Sequence, residues 1–165
     1  MTHVKAPNKY SLTGKVSLFF CGSIEMGKST MWQNELAEAL KEFDNLVVLN
    51  PRRSDWDSTW KQEKENQQFN EQVTWELQAQ ENCDFIVVYF DPKTQSPITL
   101  LEVGAFKDKP MILLCPEGYF RKGNVDIFCD RYGIRQVDGW HDFVSQIKSM
   151  IQHFEKIKLE QAWEK

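Results

Sequence analysis

Four short runs constrain this chain more than any other feature: Val16–Cys21, Leu46–Leu49, Asp84–Phe90 and Met111–Cys115. Each is near-continuously apolar rather than alternating. Alternation marks a sheet with one wet face, whereas unbroken apolar runs mark strands covered on both faces, as in parallel sheets. Arg135–Val137 is a weaker fifth candidate. Amphipathic stretches lie between the runs. Ser29–Phe43 puts Trp32, Leu36, Ala39 and Leu40 on one helical face, and Asp57–Asn82 repeats Phe69, Val73 and Leu77 at i, i+4 and i+8. Pro97–Lys107 is a shorter helix, and His141–Trp163 carries the stripe Phe143, Ile147, Met150, Ile151 and Phe154. Strand and helix therefore alternate. The pattern predicts a single-domain α/β fold, a doubly wound parallel sheet of about five strands, flavodoxin/Rossmann-like. Residues 1–15 precede it as an N-terminal extension, and residues 16–165 form the domain.

In such sheets ligands bind beyond the carboxyl ends of the strands. That directs attention to Gly22–Ser29, Asn50–Asp57, Asp91–Glu102 and Pro116–Asn124. With 165 residues and a net charge of −4, the chain has no electrostatic footprint for duplex nucleic acid or an anionic membrane. A small ligand is the natural partner. Cys21, Cys83, Cys115 and Cys129 form no CxxC pair, and His3, His141 and His153 have no metal-ligand spacing, so neither a metal nor a cofactor is expected. The N-terminal stretch has no apolar core of a secretory signal, and no apolar run is long enough to span a bilayer, so a cytoplasmic protein is expected.

Gly22-Ser23-Ile24-Glu25-Met26-Gly27-Lys28-Ser29 fits the phosphate-loop pattern GxxxxGK[ST], between a strand and a helix. Such a loop would cradle phosphate in backbone N–H groups, with Lys28 on the terminal phosphates and Ser29 on magnesium. Glu25 argues against this by bringing negative charge to the phosphates. The chain beyond Arg121 leaves little room for a kinase lid, and the segment holding Glu102 would have no role. The alternative is a turn whose glycines permit tight backbone geometry beside a ligand, which still puts Gly22 and Ser23 at a site.

Ser96-Pro97-Ile98-Thr99-Leu100-Leu101-Glu102-Val103-Gly104-Ala105 is the more informative stretch. Ser96-Pro97 reads as a helix N-cap followed by proline at the first helical position. Glu102 lies two turns further on among apolar neighbours, where a carboxylate must face a ligand, be paired or be protonated. Gly104 lets a backbone or ligand come close. This stretch resembles the catalytic motif of the nucleoside 2-deoxyribosyltransferases and their relatives, the 2′-deoxynucleoside 5′-monophosphate N-glycosidases. Leu18-Phe19-Phe20-Cys21-Gly22-Ser23-Ile24 is similar to their first-strand motif. Trp75-Glu76-Leu77 stands where the family has an acidic residue, and Gly123-Asn124 where it has a loop that reaches a neighbouring subunit.

The resemblance implies that Glu102 is a nucleophile attacking C1′ of a 2-deoxyribosyl group, and that Glu76, in place of the usual aspartate, protonates the leaving base. It puts Phe19 at a position often held by tyrosine, Ser96 near the 5′ end of the substrate, and Asn124 in a site shared between subunits. Substrates would be 2′-deoxynucleosides and free nucleobases, handled by a homo-oligomer. Asp55 and Trp56, with Arg52 and Arg53, offer the aromatic and polar groups that a stacked base needs, although Trp56 and Trp60 also suit a core. Asp91 suits a structural turn. Serine at 96 favours a monophosphate, whereas Asn124 and Glu25 favour a nucleoside, and the nucleoside is the better fit. Base exchange is thus the leading expectation. Hydrolysis of a deoxynucleoside monophosphate, phosphate transfer from ATP and a non-catalytic binding module are the alternatives.

Overall fold

The computed structural model describes residues 1–24, 29–53, 55–57 and 59–163. Six strands form one sheet: β1 (Thr2–Lys5), β2 (Val16–Gly22), β3 (Leu46–Asn50), β4 (Phe85–Tyr89), β5 (Met111–Leu114) and β6 (Arg135–Val137). Their order is β1-β3-β2-β4-β5-β6, and every pairing is parallel. Five helices connect or follow them: α1 (Trp32–Ala39), α2 (Gln67–Asn82), α3 (Pro97–Ala105), α4 (Lys122–Tyr132) and α5 (Trp140–Trp163). Successive residues of β2 point to opposite faces. Leu18 and Phe20 join Trp32 and Leu36 of α1 and Phe143 and Ile147 of α5. Phe19 and Cys21 join Trp75 and Ala79 of α2, Val103 of α3 and Val125 of α4. The continuous apolar runs are therefore consumed by two cores, one on each face of the sheet.

The doubly wound parallel sheet is as expected, but it has six strands rather than about five. The sixth comes from the segment expected to be an extension. Thr2–Lys5 pairs with Val47–Asn50 at the sheet edge, and the following Ala6 donates its N–H to the Asn50 carbonyl. Trp75 then holds the strap by donating from Nε1 to the Asn8 carbonyl at 2.9 Å. An edge strand of four residues, Thr-His-Val-Lys, has no unbroken apolar run to announce it.

Two helices start later than their periodicity predicts. Ser29 and Thr30 are held out of α1 by hydrogen bonds to the ends of β2 and β4: Ser29 Oγ donates to the Ser23 carbonyl, and Thr30 N–H to Asp91 Oδ2. α2 starts at Gln67, where the Asn66 side chain caps the Phe69 N–H at 2.9 Å. The face of α2 also differs from the expected one. Leu77 is 42% exposed, while Gln72, Trp75, Ala79 and Gln80 are buried. The flat Trp75 ring and small Ala79 fit against the sheet, and the two glutamines are admitted because their amide N–H groups find acceptors.

Gly22 ends β2 at φ 152, and a Cβ there would run into the Tyr89 carbonyl and the Trp32 ring. Gly22→Ala is therefore expected to cost about 3 kcal/mol through backbone strain and overpacking. Thermal denaturation checks this, with a clear fall in Tm as the expected result.

Candidate active site

The order of strands reverses at β2, which has β3 on one side and β4 on the other. Their carboxyl ends diverge there and leave the crevice in which open α/β sheets bind ligands. Three buried hydroxyls close its floor. Ser23 Oγ lies 2.6 Å from Ser96 Oγ and 2.7 Å from Thr94 Oγ1, and it accepts the Asp91 N–H at 2.9 Å. Ser96 does not cap α3 with its side chain as expected. Its hydroxyl belongs to this cluster, and its backbone is left-handed at φ 47, a costly conformation for a residue with a Cβ. Asp91 accepts the N–H groups of Thr30 and Lys93, which makes it the turn residue that its position suggested.

Beside this floor, α3 and α2 bring two carboxylates together. Glu102 Oε1 accepts from Gln80 Nε2 at 2.7 Å, and Oε2 from the Cys21 thiol at 3.4 Å. Glu76 Oε1 accepts from Gln72 Nε2 at 2.7 Å, and the same amide donates to the Pro51 carbonyl at 2.9 Å. Arg53 reaches Gln72 Oε1 at 3.5 Å and clamps Asp55 through two contacts of 2.8 and 2.9 Å. Asp55 is thus tied through Arg53 and Gln72 to Glu76. The Arg53 guanidinium stands 5.0 Å from the Trp60 ring centre, and Trp60 meets Trp56 edge-on at 5.3 Å. Among the described residues, the buried Trp56 Nε1 has no hydrogen-bond partner. Phe19 packs on Trp75 with ring centres 6.5 Å apart, and the β2 side chain bonded to Glu102 is Cys21.

A family model described as "Nucleoside 2-deoxyribosyltransferase like" matches residues 15–119, from the start of β2 past the Glu102 helix. The chain belongs to that family. A crystal structure of a conserved protein from Enterococcus faecalis V583 is similar in fold. It has a TM-score of 0.61 at 14% identity, covering 82% of this chain and 99% of that one. No curated protein matches the chain. Membership of the nucleoside 2-deoxyribosyltransferase-like family makes this an enzyme of that group, with nucleosides as its substrate class.

The electrostatics of this family member separate its two carboxylates. Burial, then the neighbouring Glu102, push the Glu76 carboxyl up to about 8 against the single hydrogen bond from Gln72. Burial also raises Glu102, but hydrogen bonds from Gln80 and Cys21 oppose the rise. Burial and Glu102 hold the Cys21 thiol well above its usual range, so it stays protonated and donates. Of two carboxyls that disfavour each other's ionisation, Glu102 with its two donors ionises first and Glu76 keeps the proton.

Not every residue expected at the site joins it directly. Asn124 lies in the first turn of α4 rather than in a loop, because the Asn124 and Val125 N–H groups both bond the Arg121 carbonyl and start the helix early. With Leu100, Val103, Val125 and Phe128 it lines a groove between α3 and α4. A Cβ at Gly104 would stand in open space, so nothing among the described residues needs that glycine for close approach. Glu25 and Lys28, which bear on the phosphate-loop alternative, lie outside the described residues. Gln72 and Gln80 are the partners that sequence reasoning does not assign to the site, whereas Arg53 is expected on the base side. A signal for both glutamines exists: Gln72, Glu76 and Gln80 recur every four residues and form one polar ladder on the inward face of α2.

Proposed function

We propose that this chain exchanges nucleobases between 2′-deoxynucleosides through a covalent glycosyl-Glu102 intermediate. The observation that carries the reading is the pair Glu102 and Glu76: two carboxyls at the switch point, one supplied with donors and the other kept protonated by burial and then by its neighbour. Ionised Glu102 attacks C1′ as the C1′–N bond breaks, and Glu76 gives its proton to the departing base. The acceptor base then attacks C1′ from the vacated face, the ester bond to Glu102 breaks, and Glu76 takes up the ring N–H proton that the acceptor base gives up. Two displacements give net retention. Phe19 forms the apolar wall beneath the sugar. Gly22, Ser23 and Ser96 floor the pocket at its 5′ end, and Asp55 and Trp56 stand on the base side. The setting is the cytoplasm, where nucleosides and free bases occur together.

Incubation with deoxyinosine or thymidine plus free adenine, followed by chromatography, tests the reading. A new deoxynucleoside is the expected product. Base released only from a 5′-monophosphate would replace exchange with hydrolysis, and magnesium-dependent phosphate transfer would overturn both.

The helix that carries Glu102 also supports the reading of a homo-oligomer with a shared site. α3 exposes Ile98 and Leu101 at 60% and 68%, and α4 exposes Ile127 at 71%, on either side of the groove that includes Asn124. A second copy seated there would cover these side chains and reach Glu102 from outside. Leu101→Glu combined with Ile127→Glu is expected to turn a dimer or larger assembly into a monomer with reduced exchange. Sedimentation velocity measures the first effect and the chromatographic assay the second.

A further inference from the structure

We propose that Gln80 is the positioning residue of Glu102, that it selects Oε2 as the attacking oxygen, and that Cys21 is its weaker second support. The inference rests on the reading of Glu102 as nucleophile. Gln80 is fully buried on α2. Its Nε2 carries two N–H groups and meets two acceptors: Glu102 Oε1 at 2.7 Å and the backbone carbonyl of Glu76 at 3.4 Å. Turning the amide over would set its oxygen against two other oxygens. The Glu76 carbonyl, one helical turn earlier, therefore locks the amide with its donor side toward Glu102. A donor in that place favours the ionised form of Glu102.

The arrangement is held at a cost. Among the described residues Gln80 Oε1 is buried without a partner, which a side chain selected for stability alone would not accept. The two oxygens of Glu102 also differ. Oε1 is bound by a short amide contact, whereas Oε2 has only a long contact to a thiol, a weak donor. Attack through Oε2 sacrifices the smaller interaction. It leaves Oε1 as the ester carbonyl, still bonded to Gln80, ready to take back negative charge when the acceptor base displaces the carboxylate. Among the described residues, the ionisable groups facing Glu102 are Glu76 from α2 and Cys21 from β2, and neither is a cation. Among these groups the neutral amide is the main support of the charge.

Gln80→Met keeps the volume and removes both the amide donor and the orphaned oxygen. The test follows the Glu102 carboxyl by carbon NMR in protein labelled at the glutamate side-chain carbonyl, assigned with Glu102→Gln, alongside exchange rate against pH and Tm. In Q80M the Glu102 midpoint is expected to rise by about one pH unit or more. The acid limb of kcat should move with it, KM should change little, and Tm should equal or exceed that of the wild type. Cys21→Ala is expected to move the midpoint in the same direction by less. An unchanged Glu102 midpoint in Q80M, with any rate loss following Tm alone, would overturn the proposal. If Q80M does not fold, Gln80→Asn withdraws the amide while keeping it polar, and the same two outcomes apply. Should the wild type show no exchange, the NMR titration still reads the effect of Gln80, and the failure belongs to the nucleophile reading.

Discussion

Glu102→Ala is expected to lower base exchange on the order of 10⁴-fold or more, because in the proposed mechanism it removes the group that forms the covalent bond. The size of the effect separates a nucleophile from a carboxylate that only polarises the substrate. An ordinary helix-surface glutamate would give almost no change. Stability should not fall in step. Glu102 is a half-buried acid whose ionisation the fold disfavours, and its removal relieves that burden while leaving Gln80 Nε2 without its shorter acceptor. Ligand binding with Tm near the wild-type value, together with loss of turnover, is the expected signature. Activity that persists in E102A would remove Glu102 from the mechanism.

Glu76→Gln is expected to reduce exchange by about 10²–10⁴-fold, the usual range for a general acid, and to do so unevenly. Bases that leave poorly need the proton most, so the loss should be greatest for them and least for a good leaving group. The same variant has a stability signature with a defined sign. In the fold the Glu76 carboxyl sits at about 8, above the 4.5 of the unfolded chain. Between those values the folded protein holds a proton that the unfolded chain has released. Stability from this group is therefore complete below about pH 4.5 and is lost as pH rises through 8. A tenfold difference in proton affinity between the folded and unfolded chain is worth ~1.4 kcal/mol, which makes the swing a few kcal/mol at most. Tm measured from pH 5 to pH 9 should fall for the wild type and stay flatter for Glu76→Gln. Parallel curves would place Glu76 in an ordinary solvated setting.

These expectations draw on features that differ in how plainly the chain announces them. The inner strands are legible because a strand covered on both faces has to be apolar at every position, as Leu18-Phe19-Phe20-Cys21 is. β1 is not, because an edge strand carries polar residues such as His3 and Lys5 and is specified by its partner β3. The inward face of α2 is hidden because Phe69, Val73 and Leu77 make a better apolar stripe than the residues that pack. What turns the helix is the fit of Trp75 and Ala79 to the sheet, together with the amides of Gln72 and Gln80, whose partners come from the end of β3 and from α3.

The site divides in the same way. Glu102 stands out in the sequence because a carboxylate inside Leu-Leu-Glu-Val-Gly-Ala conflicts with its surroundings, and the fold sets it among polar partners from α2 and β2. Its supports do not, because Gln80 and Cys21 look like any helix glutamine and any strand-end cysteine until α2, α3 and β2 are folded together. Ser96 illustrates both sides. Its place before Pro97 correctly marks the start of α3, but the hydroxyl is claimed by Ser23 and Thr94 rather than by the helix end.

The most direct measurement is intact-protein mass spectrometry after rapid acid quench of the enzyme mixed with a 2′-deoxynucleoside and no acceptor base, followed by peptide mapping. A mass increase of one deoxyribosyl group on the peptide containing Glu102, lost on chase with free adenine and absent in Glu102→Ala, is the expected result. Base exchange that proceeds with no such adduct, or with the adduct on another residue, would contradict Glu102 as the nucleophile.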